Sequence, residues 1–272
     1  MKNIILITFA VLILVGCAGT RKPAPMEIST FTLFDTVSFD KDIFKATYHP
    51  GTKTIFAMYH NSQEILFWRN GRQINAIGGM GNQPTNFLNL SDFAMANDSH
   101  IYALDSAAKV IKKFNADGKL LGTMELGYVQ QPTKIALGNQ QNIFVYDSAS
   151  GEIIAFDLLD KQELYRFGKF DLNKVDILYA NRDYVVAFDS VKGQSSLFSA
   201  LGQFVSHDSG QLVYDAYNNA ISLSSDALVS KMSAAWLPMT PGVGLMTISG
   251  DVVSIVVGNQ VRLLKLDYAP VL

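Results

Sequence analysis

The chain has 272 residues, of which 49% are hydrophobic and 17% charged, and its formal net charge is −2 at pH 7. It has no basic excess and no run of Lys or Arg, which argues against nucleic acid as a partner. The high apolar content predicts a large buried core.

The first 16 residues have the pattern of a secretory signal peptide. Lys2 gives a positive start, and an apolar run from Ile4 to Val15 follows. This run is too short for a membrane-spanning helix, which needs roughly 20 apolar residues. It ends in Leu14-Val15-Gly16-Cys17, which resembles the bacterial lipobox. We therefore expect residues 1–16 to be a lipoprotein signal peptide; the alternative is an ordinary helix or anchor with an incidental cysteine.

Cys17 is the only cysteine, so an intramolecular disulfide is impossible. The resemblance implies that its thiol is lipidated with acyl chains such as palmitate, which hold the chain to a membrane. Ala18 follows it. In a two-membrane bacterium, the resemblance implies that a lipoprotein with no Asp at this position is sent to the outer membrane. We expect a periplasmic or surface-facing protein there, or a cell-surface protein if the organism has one membrane. Residues 17–28 are predicted to be the lipid-anchored tether.

Residues 29–272 are predicted to form one all-β domain built from repeats. Asp105, Asp147 and Asp189 each end a β-rich run, each precedes a Ser, and each lies 42 residues from the next. Nine residues after each Asp stands a Phe, at positions 114, 156 and 198, and Trp68 belongs to an earlier, less regular copy. Turn signals such as Asn70-Gly71 and Asp117-Gly118 separate the strands. This step and pattern are typical of propeller blades.

Beyond residue 205 the repeat weakens, although residues 220–236 and 252–267 supply the strands of two more units. We expect six four-stranded blades; five or seven blades, or a β-sandwich with accidental periodicity, are the alternatives. The strand from Phe31 to Phe39 has no unit of its own. We expect it to pair with the C-terminal strand and close the ring, which would remove two exposed sheet edges.

One stretch resembles the NHL propeller repeat: Gly78-Gly79-Met80-Gly81, Phe87, the strand 101–105, then the strand 110–114 and Asp117-Gly118. Residues 146–157 are also similar to the pyrroloquinoline-quinone-type propeller repeat, whose family includes an eight-bladed outer-membrane assembly lipoprotein. The chain is too short for eight blades of about 42 residues. Both resemblances imply a fold more than a function, because propellers include enzymes and scaffolds alike.

The recurring side chains fit structural roles. Asp105, Asp147 and Asp189 are expected to accept backbone N–H bonds and fix turns, and the aromatic residues that follow them to pack between blades. No pair of the four histidines, His49, His60, His100 and His207, has the helical spacing of a zinc site. His49, placed just before the first inner strand, is either a residue of the channel mouth or an ordinary surface histidine. The sequence predicts no catalytic residue, metal ligand or cofactor.

Links between blades are the predicted binding surface, because function on a rigid ring is carried by its loops. Residues 79–87, 128–132 and 181–183 are taken as comparable links, with these candidate residues: Gly79, Met80, Asn82, Gln83, Tyr128, Gln130, Gln131 and Arg182. The sequence thus favours an anchored module that binds a protein or glycan of the cell envelope over an enzyme. The alternatives are a metal-dependent propeller enzyme of the lactonase or lyase kind and an outer-membrane assembly partner.

Overall fold

The computed structural model describes residues 25–138, 141–224, 227–231, 233–236 and 244–271. In these ranges twenty-four strands form six four-stranded antiparallel sheets, which are the blades of a six-bladed propeller. The predicted all-β architecture and blade count are confirmed. No helix among the described residues has the length and apolar character needed to cross a membrane. The predicted signal peptide and Cys17 lie outside the described residues.

The blades follow one another along the chain. Blade 1 consists of β2 (Ile43–His49), β3 (Thr54–Tyr59), β4 (Glu64–Arg69) and β5 (Arg72–Gly78). Blade 2 consists of β6 (Leu90–Met95), β7 (Ile101–Asp105), β8 (Val110–Phe114) and β9 (Leu120–Glu125). Blade 3 consists of β10 (Pro132–Leu137), β11 (Asn142–Asp147), β12 (Glu152–Asp157) and β13 (Glu163–Phe167).

The second half of the ring is built in the same way. Blade 4 consists of β14 (Ile177–Ala180), β15 (Tyr184–Asp189), β16 (Gln194–Ser199) and β17 (Phe204–Ser209). Blade 5 consists of β18 (Gln211–Tyr214), β19 (Ala220–Leu223), β20 (Ala227–Val229) and β21 (Ala234–Trp236). Blade 6 takes β22 (Leu245–Ser249), β23 (Val252–Val257) and β24 (Gln260–Pro270) from the C-terminus and β1 (Met26–Ser38) from the N-terminus.

The ring is closed by β1, the outermost strand of blade 6. It pairs antiparallel with β24 from Met26, opposite Pro270, to Ser38, opposite Gln260. The predicted closure is therefore confirmed, although the strand begins earlier than expected. Residues 26–28, assigned above to the tether, belong to it, and Ile28 is only 1% exposed.

The core lies between blades rather than at one centre. The described residues form six hydrophobic clusters, one at each interface between neighbouring blades. Second strands such as β7 and β11 are covered on both faces and are buried almost throughout, which explains why they are apolar runs without alternation. Outer strands such as β9 alternate between exposed and covered residues.

The recurring aromatic residues occupy these interfaces, as predicted. Each lies directly opposite a β-branched residue of the second strand, in the pairs Ile55–Trp68, Ile101–Phe114, Ile143–Phe156 and Val185–Phe198. Phe114 packs in the cluster between blades 1 and 2, and Phe198 in the cluster between blades 3 and 4. The 42-residue step is therefore the distance between equivalent interface residues.

Two faces follow from the alternating strand directions. The face that we call the link face carries the links between blades and the turns between second and third strands. The opposite face, the turn face, carries the turns between first and second strands and between third and fourth strands. The first strands, β2, β6, β10, β14, β18 and β22, are the innermost and surround the central channel.

Charged side chains join the first strands inside the channel. Lys45 Nζ lies 2.6 Å from Oδ1 of Asp92, whose other oxygen accepts a hydrogen bond from the backbone N–H of Ile135 at 2.9 Å. One buried carboxylate thus connects blades 1, 2 and 3. Lys134 lies beside it, with Nζ 4.5 Å from the ring centre of Phe44. Burial lowers the pKa of the Lys134 ammonium, and the Asp92 charge opposes this effect.

Two of the recurring aspartates fix links between blades. Asp105, at the end of β7, accepts backbone N–H bonds from Leu88 and Asn89 at 2.9 and 3.1 Å. Asp147, at the end of β11, accepts equivalent bonds from Gln130 and Gln131 at 3.0 and 2.8 Å. Both carboxylates are buried, and both also accept an N–H from the turn that follows. The predicted structural role, accepting N–H bonds that fix a turn, is confirmed for all three aspartates, and in this pair the carboxylate also fixes a link.

The third aspartate fixes only its own turn. Asp189 is half-buried and accepts the N–H groups of Val191 and Lys192, which follow it. The preceding link is bound instead through its own carboxylate, Asp176, which accepts the N–H and the hydroxyl of Ser190 at 2.9 and 2.6 Å. The same sequence position therefore connects different parts of the structure in blade 4.

Replacing Asp147 and Asp189 tests whether the first fixes a link between blades and the second only its own turn. Asp147→Ala removes a charged acceptor from three backbone N–H groups, two of them in a link, and we expect a loss of about 3 kcal/mol in the free energy of unfolding. Asp189→Ala breaks only a local turn and is expected to cost about 1 kcal/mol. Chemical denaturation of both variants measures the two losses, with the exposed Asp160→Ala as the control. Equal losses at positions 147 and 189 would contradict the assignment.

Candidate binding surfaces

The link between blades 1 and 2 is a folded loop that displays one apolar side chain. Gly78 and Gly79 have positive φ angles, and a Cβ at Gly78 would lie 2.6 Å from the ring of Phe87. Phe87 is fully buried, and its N–H donates to the carbonyl of Gly79 at 2.9 Å. The Asn86 amide holds the carbonyl of Met80 at 3.2 Å. The Met80 side chain is nevertheless 79% exposed, so a fixed backbone presents it to solvent.

The next two links present aromatic residues on the same face. Tyr128 is 91% exposed between the buried residues Leu126 and Val129, and Phe170 is 93% exposed. We call the three links together, residues 79–89, 126–131 and 168–176, the link surface. The first two contain no charged residue, and their polar groups are mainly the amides of Asn and Gln.

Seven of the eight predicted binding residues lie on this surface. Met80, Asn82 and Gln83 are exposed in the first link, where Gly79 is half-buried, and Tyr128, Gln130 and Gln131 are exposed in the second. Asp105 and Asp147 hold the two links against blades 2 and 3. The structure thus brings these seven residues to one face of the ring.

Arg182 is elsewhere, and its assignment to a comparable link was wrong. Residues 181–183 form the turn between β14 and β15, so they lie on the turn face. The repeat itself contained the signal: Asn97, Asn139 and Asn181 are spaced by 42 residues, and Asn97 follows the first strand of blade 2. Arg182 is exposed.

Around Arg182 the turn face contains a cavity of about 690 Å³ at the mouth of the channel. Residues from five blades line it, among them Asn97 from blade 2, Gly138 from blade 3, Asn181 from blade 4, Tyr217 from blade 5 and Gly250 from blade 6. Its size is that of a pocket for a small molecule or a short polymer segment.

One wall of the cavity is a hydrogen-bonded network between blades 4 and 5. The Asn181 amide donates to Oδ1 of Asn218 at 3.0 Å, and the Asn218 amide donates to Oδ2 of Asp183 at 2.6 Å. Asn181 Oδ1 accepts the N–H groups of Asp183 and Tyr184, which fixes its own turn. These polar groups are therefore held in place before any ligand arrives.

Tyrosine rings form part of the apolar lining, beside aliphatic side chains such as Leu137 and Ile248. Tyr102, Tyr179, Tyr214 and Tyr217 all line the cavity. Tyr214 stacks on Tyr184 with ring centres 4.6 Å apart, and the Tyr179 hydroxyl donates to the carbonyl of Tyr214. Burial raises the pKa of Tyr214 to about 12, so its phenol is uncharged near neutral pH.

The cavity was not predicted from the sequence, because its blade 5 part diverges from the repeat. The turn that holds Tyr217 and Asn218 is fixed by the buried Asp215, whose carboxylate accepts the N–H groups of Tyr217 and Asn219 at 2.9 and 2.7 Å. This Asp has no counterpart 42 residues earlier, where the chain has Asn173. The feature of the sequence that could have indicated the cavity is the position of this turn, directly after the first strand of blade 5.

His49 has a structural role in the turns on the turn face. His49 is the last residue of β2 and is 6% exposed. The strand that follows it, β3, is the second strand of blade 1 and not the inner strand as predicted. Its Nδ1 accepts the N–H of Thr52 at 3.2 Å, so Nε2 carries the proton and faces the carbonyl of Asn97 at 3.2 Å. It therefore connects the turns of blades 1 and 2. In the described part of the chain, no cluster of three or more His, Cys, Asp or Glu residues could hold a metal ion.

Comparisons with known proteins agree with this architecture. A family model described as DUF5128, 6-bladed beta-propeller, matches residues 41–132. A comparison with curated proteins finds no match.

Several solved structures are similar in fold. Virginiamycin B lyase from Staphylococcus aureus is similar over 87% of this chain and 100% of its own, with 9% identity and a TM-score of 0.59. The WD40 repeats of RRP9 are similar over 89% and 100%, with 14% identity and a TM-score of 0.56. Kuenenia stuttgartiensis hydrazine synthase is similar over 80% and 75%, with 12% identity and a TM-score of 0.55. At these identities the likeness shows the propeller fold alone.

Proposed function

We propose that this chain is a cell-envelope lipoprotein, anchored through Cys17, whose propeller binds a protein partner on the link surface. The observation that carries the proposal is the set of exposed apolar tips on fixed links: Met80 is 79%, Tyr128 91% and Phe170 93% exposed. Exposed apolar side chains grouped on one face of a soluble domain are typical of interaction sites.

The composition of this surface favours a protein partner. Aromatic residues and Met are enriched at the centres of protein interfaces, whereas charged residues are depleted there. The first two links have these properties, since they carry Met80, Leu88 and Tyr128 but no charge. Their backbones are fixed by Asp105 and Asp147, so little conformational entropy would be lost on binding.

Under the proposal, the tether would leave this surface free. β1 begins at Met26 on the turn face, where the Asn219 amide donates to the carbonyl of Met26 at 2.9 Å. From Cys17 to Met26 the chain advances about 9 residues, which can span at most roughly 30–32 Å when fully extended. Under the proposal the turn face lies near the lipid and the link surface points away from it, toward soluble or membrane-bound proteins of the envelope.

Replacing the lipidated residue tests the anchor. In cells that produce the full chain, Cys17→Ser is expected to abolish labelling with an alkynyl palmitate and to move the protein out of the membrane fraction, because no other residue is predicted to hold acyl chains. Tyr128→Ala is the matched control and should remain membrane-bound. A Cys17→Ser protein that is still processed at the same position and still pellets with membranes would contradict the anchor.

Photo-crosslinking tests the binding surface. A photoreactive amino acid at Met80 should give a single protein adduct, whereas the same group at Leu159, which is 75% exposed on the turn face, should not. With the partner identified and purified, Tyr128→Ala should raise Kd at least tenfold, about 1.4 kcal/mol. An adduct that forms equally from position 159, or an unchanged Kd, would count against the link surface.

A further inference from the structure

We infer that the cavity on the turn face is a second ligand site, which binds a neutral saccharide. It lies on the opposite side of the ring from the link surface and shares no residue with it. The inference therefore goes beyond the proposed function and stands without it.

The tyrosine rings of the cavity suit a sugar ring. Tyr217 is 53% exposed and meets Tyr268 edge to face, with ring centres 5.0 Å apart. That contact supports the ring while about half of its surface remains open. The C–H groups of a pyranose form an apolar face that packs on such a ring, while its hydroxyls point outward toward polar neighbours.

Those polar neighbours are present in fixed positions. Asn181, Asp183 and Asn218 offer amide and carboxylate groups joined by hydrogen bonds of 2.6–3.0 Å. Sugar hydroxyls both donate and accept, so they can extend a network of this kind without leaving a polar group unpaired. The Asp183 carboxylate uses only Oδ2 in this network, and Oδ1 has no hydrogen-bond partner among the described residues.

The charges of the lining favour a neutral ligand. The cavity contains the carboxylates of Asp98, Asp183 and Asp215 and the cations Lys113 and Arg182. The signs nearly balance, whereas a site for a phosphate or an acidic polymer would carry a clear cationic excess. The carboxylate of Asp215 is also engaged by its own turn and by Asn219. A polyhydroxylated, uncharged molecule matches this lining best.

The cavity is also next to the point where the chain leaves the ring. Asn219, which holds Met26, directly follows the lining residues Tyr217 and Asn218. This step alone rests on the proposed anchor: with Cys17 lipidated, the cavity faces saccharides close to the membrane surface.

A glycan array tests the inference. The detergent-purified full chain is applied to neutral and acidic oligosaccharides, and Kd for the best neutral glycan is measured by calorimetry. Tyr217→Ala should raise Kd at least tenfold, because it removes the stacking ring, and Tyr217→Phe should change it less than threefold. Asp183→Asn, which keeps the shape of the side chain, should raise Kd about fivefold.

Tyr128→Ala on the opposite face is the matched control and should bind the glycan as the parent does. Melting temperatures verify that each variant is folded. Absence of binding to any glycan, binding to acidic glycans or peptides alone, or an unchanged Kd in both Tyr217→Ala and Asp183→Asn would overturn the inference. The photo-crosslinking experiment on the link surface and the glycan array test the two sites separately. Glycan binding without a protein adduct at Met80 would support this inference alone, and an adduct without glycan binding would support the proposed function alone.

Discussion

Pairing between the first and the last strand of the chain is the constraint on which the rest of this structure depends. β1 lies along β24 from Met26 to Ser38, and Ile28 is buried in the cluster between blades 5 and 6. An open arc of blades would leave two unpaired strand edges and one uncovered core interface, whereas closure removes both. Closure also fixes where the N-terminus leaves the ring, which is the turn face. Any tether that precedes Met26 must therefore start beside the cavity.

A closed ring with two unlike faces can hold two different partners at once. The link face displays the apolar side chains of Met80, Tyr128 and Phe170, and its first two links are rich in amides and carry no charge, so it suits a flat protein contact. The turn face is concave, and its tyrosines and carboxylates suit a small polar ligand. Between them, the channel is braced by the Lys45–Asp92 ion pair across the first strands. A rigid ring of this kind would position both partners at a fixed separation.

The repeat made the fold predictable from the sequence, because Phe114, Phe156 and Phe198 each fill the same place between blades. The candidate sites were less predictable, because they depend on loops that the repeat does not constrain. Asp189 keeps the sequence position of Asp147 but not its partners, since the longer third link brings its own Asp176. Arg182 was predicted on the wrong face because residues 181–183 resemble the links in amino-acid composition. Their position within the 42-residue repeat, directly after a first strand, places them on the turn face. The cavity could not be predicted because part of its lining comes from the diverged fifth blade. Tyr217 of that blade does not fall on a recurring position of the repeat.

The most direct test of the proposed anchor is to measure which face of the ring points at the membrane. Under the proposed anchor, acylation would consume Cys17, so a cysteine introduced at Tyr128 or Tyr217 would be the one free thiol of the lipidated chain. For the lipidated chain on the outer surface of liposomes, a bulky maleimide reagent should modify Tyr128→Cys rapidly and Tyr217→Cys at least tenfold more slowly. In detergent both should react at similar rates, since both positions are exposed. Faster modification at position 217 than at position 128 on liposomes, or equal rates there, would contradict the proposed orientation.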